Sequence, residues 1–102
     1  MLREKITAIT TRSFYRMSCY RRGFFIGHKK YEQYIVFSVT LNSGYLEFAF
    51  TDMSTSEVTR FINPENGVYS FPLKKGIKYQ LEIRAKAANG NYKVMRKTIR
   101  DF

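Results

Sequence analysis

Very few residues of this chain could carry covalent chemistry. His28 is the only histidine and Cys19 the only thiol. Nucleophilic catalysis by such a pair needs the imidazole within hydrogen-bond reach of the sulfur. If Arg21-Arg22-Gly23 closes a hairpin loop, Tyr20 pairs with Phe24, Cys19 with Phe25 and Arg16 with His28. Cys19 and His28 then fall on opposite faces, and the dyad is geometrically poor. One histidine and one cysteine also lack the number and spacing of zinc ligands. The carboxylates make no stronger case. Asp52 and Glu57 flank Met53-Ser54-Thr55-Ser56, which does not resemble a calcium loop. Glu47 and Glu82 alternate with apolar neighbours and are expected to face outward, paired with lysines. There is no glycine-rich phosphate loop and no Gly-x-Ser-x-Gly elbow. The expectation is a protein that is not an enzyme and holds no metal or cofactor.

Binding chemistry has better material. On the hairpin register, one face would carry Arg12, Phe14, Arg16, Tyr20, Phe24, Ile26, His28 and Lys30, with Arg21 and Arg22 at the tip. The other, with Tyr15, Met17, Cys19, Phe25, Gly27 and Tyr31, would be the core face. A surface mixing cations with rings suits a polyanion or single-stranded nucleic acid, charge for phosphates and rings for bases. The candidate site is therefore Arg12, Phe14, Arg16, Tyr20, Arg21, Arg22, Phe24 and Lys30. Two other readings stand beside it. Phe14, Tyr20, Phe24 and Ile26 could form a protein interface, since such a patch seldom stays exposed. Alternatively the rings are ordinary cross-strand pairs and the cations a guard against edge aggregation.

The elements that must position these residues are strands. From Gly76 to Ala87, Ile77, Tyr79, Leu81, Ile83, Ala85 and Ala87 alternate with Lys78, Gln80, Glu82, Arg84 and Lys86. Period two over that length means one buried and one wet face. Lys5 to Tyr20 reads as one long strand or two with a bend, and Phe24 to Lys30 as its return. Tyr34–Leu41 and Tyr45–Thr51 flank a turn at Asn42-Ser43-Gly44. Glu57–Ile62 and Val68–Leu73 flank Asn63-Pro64-Glu65-Asn66-Gly67, the strongest turn signal in the chain. Pro72 implies an edge position or a strand end. Lys74-Lys75-Gly76 leads into the alternating strand, and Asn89-Gly90 signals a hairpin returning through Tyr92 to Ile99, with a bulge near Val94–Met95. About seven to nine short strands and no helix predict an all-β fold, a single antiparallel β-sandwich. Its expected core is Phe37, Val39, Leu46, Phe48, Phe71, Tyr79, Leu81, Ile83 and Tyr92.

Length and charge set bounds on this. The 102 residues make one domain, 1–102, with 1–30 a basic N-terminal strand or hairpin region. Residues 1–30 hold eight Lys/Arg against one Glu, whereas 31–102 hold ten against seven acids, so attraction to anionic partners concentrates at the start. One cysteine permits no internal disulfide. No apolar run is long enough to span a membrane or to form a signal peptide, which leaves the cytoplasm, or export with a leader removed.

Leu73-Lys74-Lys75-Gly76-Ile77-Lys78-Tyr79, followed by the alternating strand, resembles fibronectin type III and related immunoglobulin-like sandwiches. Together with Ser43-Gly44-Tyr45-Leu46 and Gly90-Asn91-Tyr92, it also resembles bacterial prepeptidase-C-terminal-like domains. The resemblance covers roughly residues 34–99 and implies an immunoglobulin-like fold in which the hydroxyl of Tyr79 bonds back to upstream backbone. The chain departs from the immunoglobulin pattern in having no tryptophan and no second cysteine. Members of both groups are mainly non-catalytic. The resemblance thus implies a binding or assembly module working through protein contacts, with a protein partner or a second copy at the hairpin or a sheet edge. The alternative is a polyanion or nucleic-acid binder using residues 12–31.

Overall fold

Period-two alternation does set the architecture, but the strands run through points where the turn signals suggest reversals. The computed structural model describes residues 2–101. They form five strands: β1 (Leu2–Ile26), β2 (Glu32–Asp52), β3 (Val58–Ile62), β4 (Gly67–Leu73) and β5 (Lys78–Asp101). All pair antiparallel in one sheet of order β1-β5-β2-β3, with β4 beside β3 on the same edge of β2. The all-β class is as expected. The count of seven to nine strands is not, because β1, β2 and β5 are 25, 21 and 24 residues long.

Each long strand passes through a bend. The β2 register slips between Leu41 and Tyr45, and the β1 register between Phe14 and Cys19, opposite Ala85–Gly90 of β5. Arg16, Gly44 and Ala87 take positive φ of 48°, 87° and 48° along this line. Bulged residues lose ladder partners, so their backbone groups need others. Short polar side chains supply them. Asn89 Oδ1 accepts the Arg16 N–H at 3.0 Å, and Ser18 Oγ accepts the Ala87 N–H at 3.0 Å. Across β2, the Asn63–Gly67 turn does the same. Asn66 Oδ1 accepts the Leu41 N–H at 2.8 Å and Asn63 Oδ1 the Leu46 N–H at 3.0 Å.

Bent along this line, the sheet folds over and buries its concave face. One half holds the start of β1, the end of β5, the start of β2, and β4; the other holds their complements and β3. Rings from the two halves meet between them, Phe37 stacked on Phe48 at 4.7 Å and Phe71 on Phe50 at 4.3 Å. Of the expected core, Phe37, Val39, Leu46, Phe48, Tyr79, Leu81, Ile83 and Tyr92 are buried, and Phe71 is half-buried. Tyr79 reaches back across the turn before β5, its hydroxyl accepting the Lys74 N–H at 3.0 Å. Pro72 sits on β4, which among the described residues pairs only with β2, so no outer ladder bond needs its missing N–H.

The hairpin at Arg21–Gly23 is not formed. β1 continues through it, with Arg21 opposite Ile83, Arg22 opposite Glu82 and Gly23 opposite Leu81. Tyr20, Cys19 and Arg16 therefore do not face Phe24, Phe25 and His28. The Asn42–Gly44 and Asn89–Gly90 segments are likewise bends inside strands, not reversals. The slip expected at Val94–Met95 is present, but the extra residue is Ile9 of β1, between the partners of Met95 and Val94.

Candidate interaction edge

β1 closes one side of the sheet. It pairs with β5 along its length, and its other edge meets no strand among the described residues. An open edge presents a row of N–H and C=O groups that can template a further strand. Ten large apolar side chains are exposed among the described residues, and six lie on β1: Ile6, Ile9, Tyr15, Tyr20, Phe24 and Ile26. Three more, Val58, Ile62 and Val68, lie on β3 and β4, the opposite edge. Exposed apolar surface is thus concentrated on the two edges.

The eight candidate residues are divided, because the hairpin that would gather them is absent. Arg12 and Arg21 lie opposite the buried Tyr92 and Ile83, so both are on the inner side of β1. Arg12 Nη2 donates to Met17 Sδ at 3.1 Å. Phe14 packs on the core, 5.8 Å from the Tyr92 ring, together with Cys19 and Phe25. Arg16 stands at the bend, its guanidinium 5.2 Å from the ring centre of Tyr15. Tyr15, expected inside, is 75% exposed. Tyr20, Arg22 and Phe24 share the outer face, opposite Arg84, Glu82 and Gln80 of β5. Lys30 sits in the connection to β2, its N–H bonded to His28 Nδ1 at 3.0 Å.

The outer face is stitched by its own charges. Arg84 stacks on Tyr20 at 5.1 Å, while Lys78 and Arg22 approach Phe24 at 4.8 and 5.6 Å. The Tyr20 hydroxyl donates to Glu82 Oε2 at 2.6 Å, a bond that raises its pKa. Glu47 is buried against two cations, Arg60 at 2.6 Å and Arg84 at 3.8 Å. The Arg60 bond holds its carboxyl below the usual range. Glu82 meets Arg84 at 2.9 Å, so both glutamates pair with arginines, not the expected lysines. A cleft of about 190 Å³ opens beside β1, with Leu81, Ile83, Tyr92 and Val94 in its lining, and the buried Tyr92 hydroxyl finds no hydrogen-bond partner among the described residues.

His28 and Asp52 serve the backbone. His28 Nδ1 accepts N–H bonds from Lys30 at 3.0 Å and Tyr31 at 3.3 Å. Its ring packs on Tyr31 at 4.4 Å. Asp52 caps the loop to β3, accepting the Ser54 hydroxyl at 2.6 Å, the Ser54 N–H at 2.8 Å and the Thr55 N–H at 3.3 Å. With the Ser54 hydroxyl contributing most, these bonds lower its pKa from 3.8 to about 2. A depressed carboxyl contributes stability that is complete above its unfolded pKa and lost as pH falls through the folded one. Asp52→Asn should therefore lower the urea midpoint by a constant amount near neutrality, and the gap from wild type should close between about pH 4 and pH 2. A gap independent of pH over that range would remove Asp52 as the titrating cap.

No protein family and no curated protein matches the chain. Solved structures do. A chain from the Bacillus endospore appendages, which form a family of disulfide-linked pili, is similar at a TM-score of 0.52 and 10% identity, covering 96% of this chain and 86% of that one. The SPBc2 prophage-derived protein YomS is similar at 0.51 and 12% identity, covering 98% and 96%. At these identities the likeness is one of fold. Neither is a fibronectin type III or prepeptidase-C-terminal-like domain.

Proposed function

We propose that the protein is a non-catalytic assembly module that engages a protein partner by strand addition at the free edge of β1. The observation that carries this is the concentration of exposed apolar side chains on a 25-residue edge strand with one neighbour. Added strands gain main-chain hydrogen bonds along the edge, and side chains beside it supply specificity. The immunoglobulin-like reading of the folded sheet is part of this proposal, supported by the bond from Lys74 N–H to Tyr79. The likeness in fold to chains of a pilus supports an assembly role. A disulfide-linked chain of subunits needs two cysteines in each, however, and this protein has Cys19 alone, half-buried. The proposal places its cohesion at the strand edges instead.

The test is position-dependent photocrosslinking in the expressing cell. A benzoylphenylalanine placed at Tyr15 or Ile6 should give discrete protein adducts. The same probe at Lys93, exposed on the central strand β5, should give few. Equal yields at both places, or none at β1, would overturn the module reading.

A further inference from the structure

Both edges of the sheet carry exposed apolar side chains, and they match each other. Each half is four strands wide, β1-β5-β2-β4 in one and β1-β5-β2-β3 in the other, with every pairing antiparallel. An even number of alternating strands has a geometric consequence. A second copy displaced across the sheet, without reversal, brings its β1 antiparallel to the first copy's β3 and β4. Both halves of the sheet would then continue from one molecule into the next.

The rows of the sheet agree with that displacement. Tyr20 lies in the row of Arg84, Glu47 and Ile62, and Phe24 in the row of Gln80, Thr51 and Val58. Ile6 lies in the row of Lys97, Tyr34 and Pro72. Each row thus ends in an apolar residue on both edges. Stacked without a register shift, Ile62 meets Tyr20 and Val58 meets Phe24, aromatic beside β-branched, a favourable cross-strand pair. Arg60 shares the row of Arg22 but is already held by Glu47 at 2.6 Å.

Charge disfavours joining β1 to itself. β1 carries six Lys/Arg against Glu4, whereas residues 53–73 carry Glu57 and Glu65 against Arg60. Joining β1 to β1 sets two basic edges together, and joining β1 to β3–β4 sets basic against mildly acidic. Glu65 sits in the turn that caps the bend of β2, and Arg16 sits at the bend of β1. The same displacement brings them together.

Resting on the module reading, we infer that the partner at β1 is the β3–β4 edge of another copy, so that the protein assembles head to tail into an open chain. Such a contact is heterologous: each copy keeps one free edge of either kind, and growth has no built-in stop. The net charge of +10 opposes it at low ionic strength. Association should strengthen as salt rises to about 0.15 M, where the Debye length is about 8 Å.

Two edge-blocked variants test this at that ionic strength, using light scattering on the purified chain. Tyr20→Lys/Phe24→Lys blocks β1, and Val58→Lys/Ile62→Lys blocks β3. All four positions are exposed, and circular dichroism melts establish that both variants fold. Wild type should show a mass that climbs with concentration past the dimer. Each variant alone should be monomeric, and an equimolar mixture should stop at the dimer, since only one competent pair of edges remains. Wild type that stops at two overturns the open chain in favour of pairing between like edges, β1–β1 if the β3 variant still dimerises and β3–β3 if the β1 variant does. A monomeric wild type at all concentrations overturns the head-to-tail chain. The module reading then stands only if Tyr15 still crosslinks to a different protein in the cell.

Discussion

Phe37→Ala should cost about 3–5 kcal/mol of stability, one of the two largest effects expected of a single substitution here. Phe37 is fully buried and touches rings from both halves of the folded sheet. Phe48 lies stacked at 4.7 Å, Phe61 edge-on at 5.1 Å, Tyr69 stacked at 5.4 Å and Phe50 tilted at 5.8 Å. Removing the ring loses its own transfer free energy and leaves a cavity that cannot close without moving four aromatic neighbours. Domains of this size are stable by only about 5–15 kcal/mol. The variant should melt well over 10 °C below wild type, at about 4–8 °C per kcal/mol, and its urea midpoint should fall accordingly. Phe71→Ala, at a half-buried ring stacked on Phe50, should cost less. A loss below about 1 kcal/mol for Phe37 would mean the halves do not pack through it.

The core was legible in the sequence and the path of the chain was not, for reasons that can be located. Tyr79, Leu81 and Ile83 alternate without interruption, and that phase holds in the structure because β5 is unbulged until Ala85. The Asn63–Gly67 turn also stands where its residues place it. At Asn42–Gly44 and Asn89–Gly90 the residues mark irregular backbone without marking whether the strand reverses there. Asn, Ser and Gly satisfy bulged backbone and tolerate positive φ equally well whether a strand reverses or bends and runs on. Nothing within four residues separates those outcomes; the distinction lies in which strand stands opposite.

β1 defeats parity for a related reason. Arg12 and Phe14 are on the inner side, while Tyr20, Arg22 and Phe24 are on the outer side, although all five have even numbers. The slips between Phe14 and Cys19 exchange the two faces partway along. A single alternation drawn through all of β1 therefore merges two surfaces into one basic-aromatic face that does not exist. The edge apolars of β3 and β4 had a readable sign, since Val58, Ile62 and Val68 are β-branched residues in the solvent phase of their strands. Their importance depends on knowing that those strands form an edge.

Gly44→Ala should approach Phe37→Ala in damage, at about 2–5 kcal/mol, by a different mechanism. Gly44 has φ of +87°, and a Cβ there would stand 2.2 Å from the Ala87 carbonyl oxygen and 2.6 Å from the Ala88 Cα. Both obstacles are backbone, in the strand that bends beside it, so no rotamer can move aside. Gly90 interlocks from the other direction, its missing Cβ directed at the Thr40 oxygen at 1.9 Å. These two glycines let β2 and β5 turn the corner in contact. The informative comparison is Gly23→Ala, because Gly23 lies in straight β1 without positive φ, and a Cβ there would meet only a Phe25 ring carbon at 4.0 Å. That substitution should be neutral or stabilise by about 0.4–1 kcal/mol, through lost freedom in the unfolded chain. Urea titrations of the two variants would separate a bent, continuous sheet from a set of hairpins. If Gly23 closed a hairpin at positive φ, alanine there would destabilise. If Gly44 sat in an open turn instead of against Ala87, the cost of its alanine would be only that of the backbone angle, about 1–2 kcal/mol.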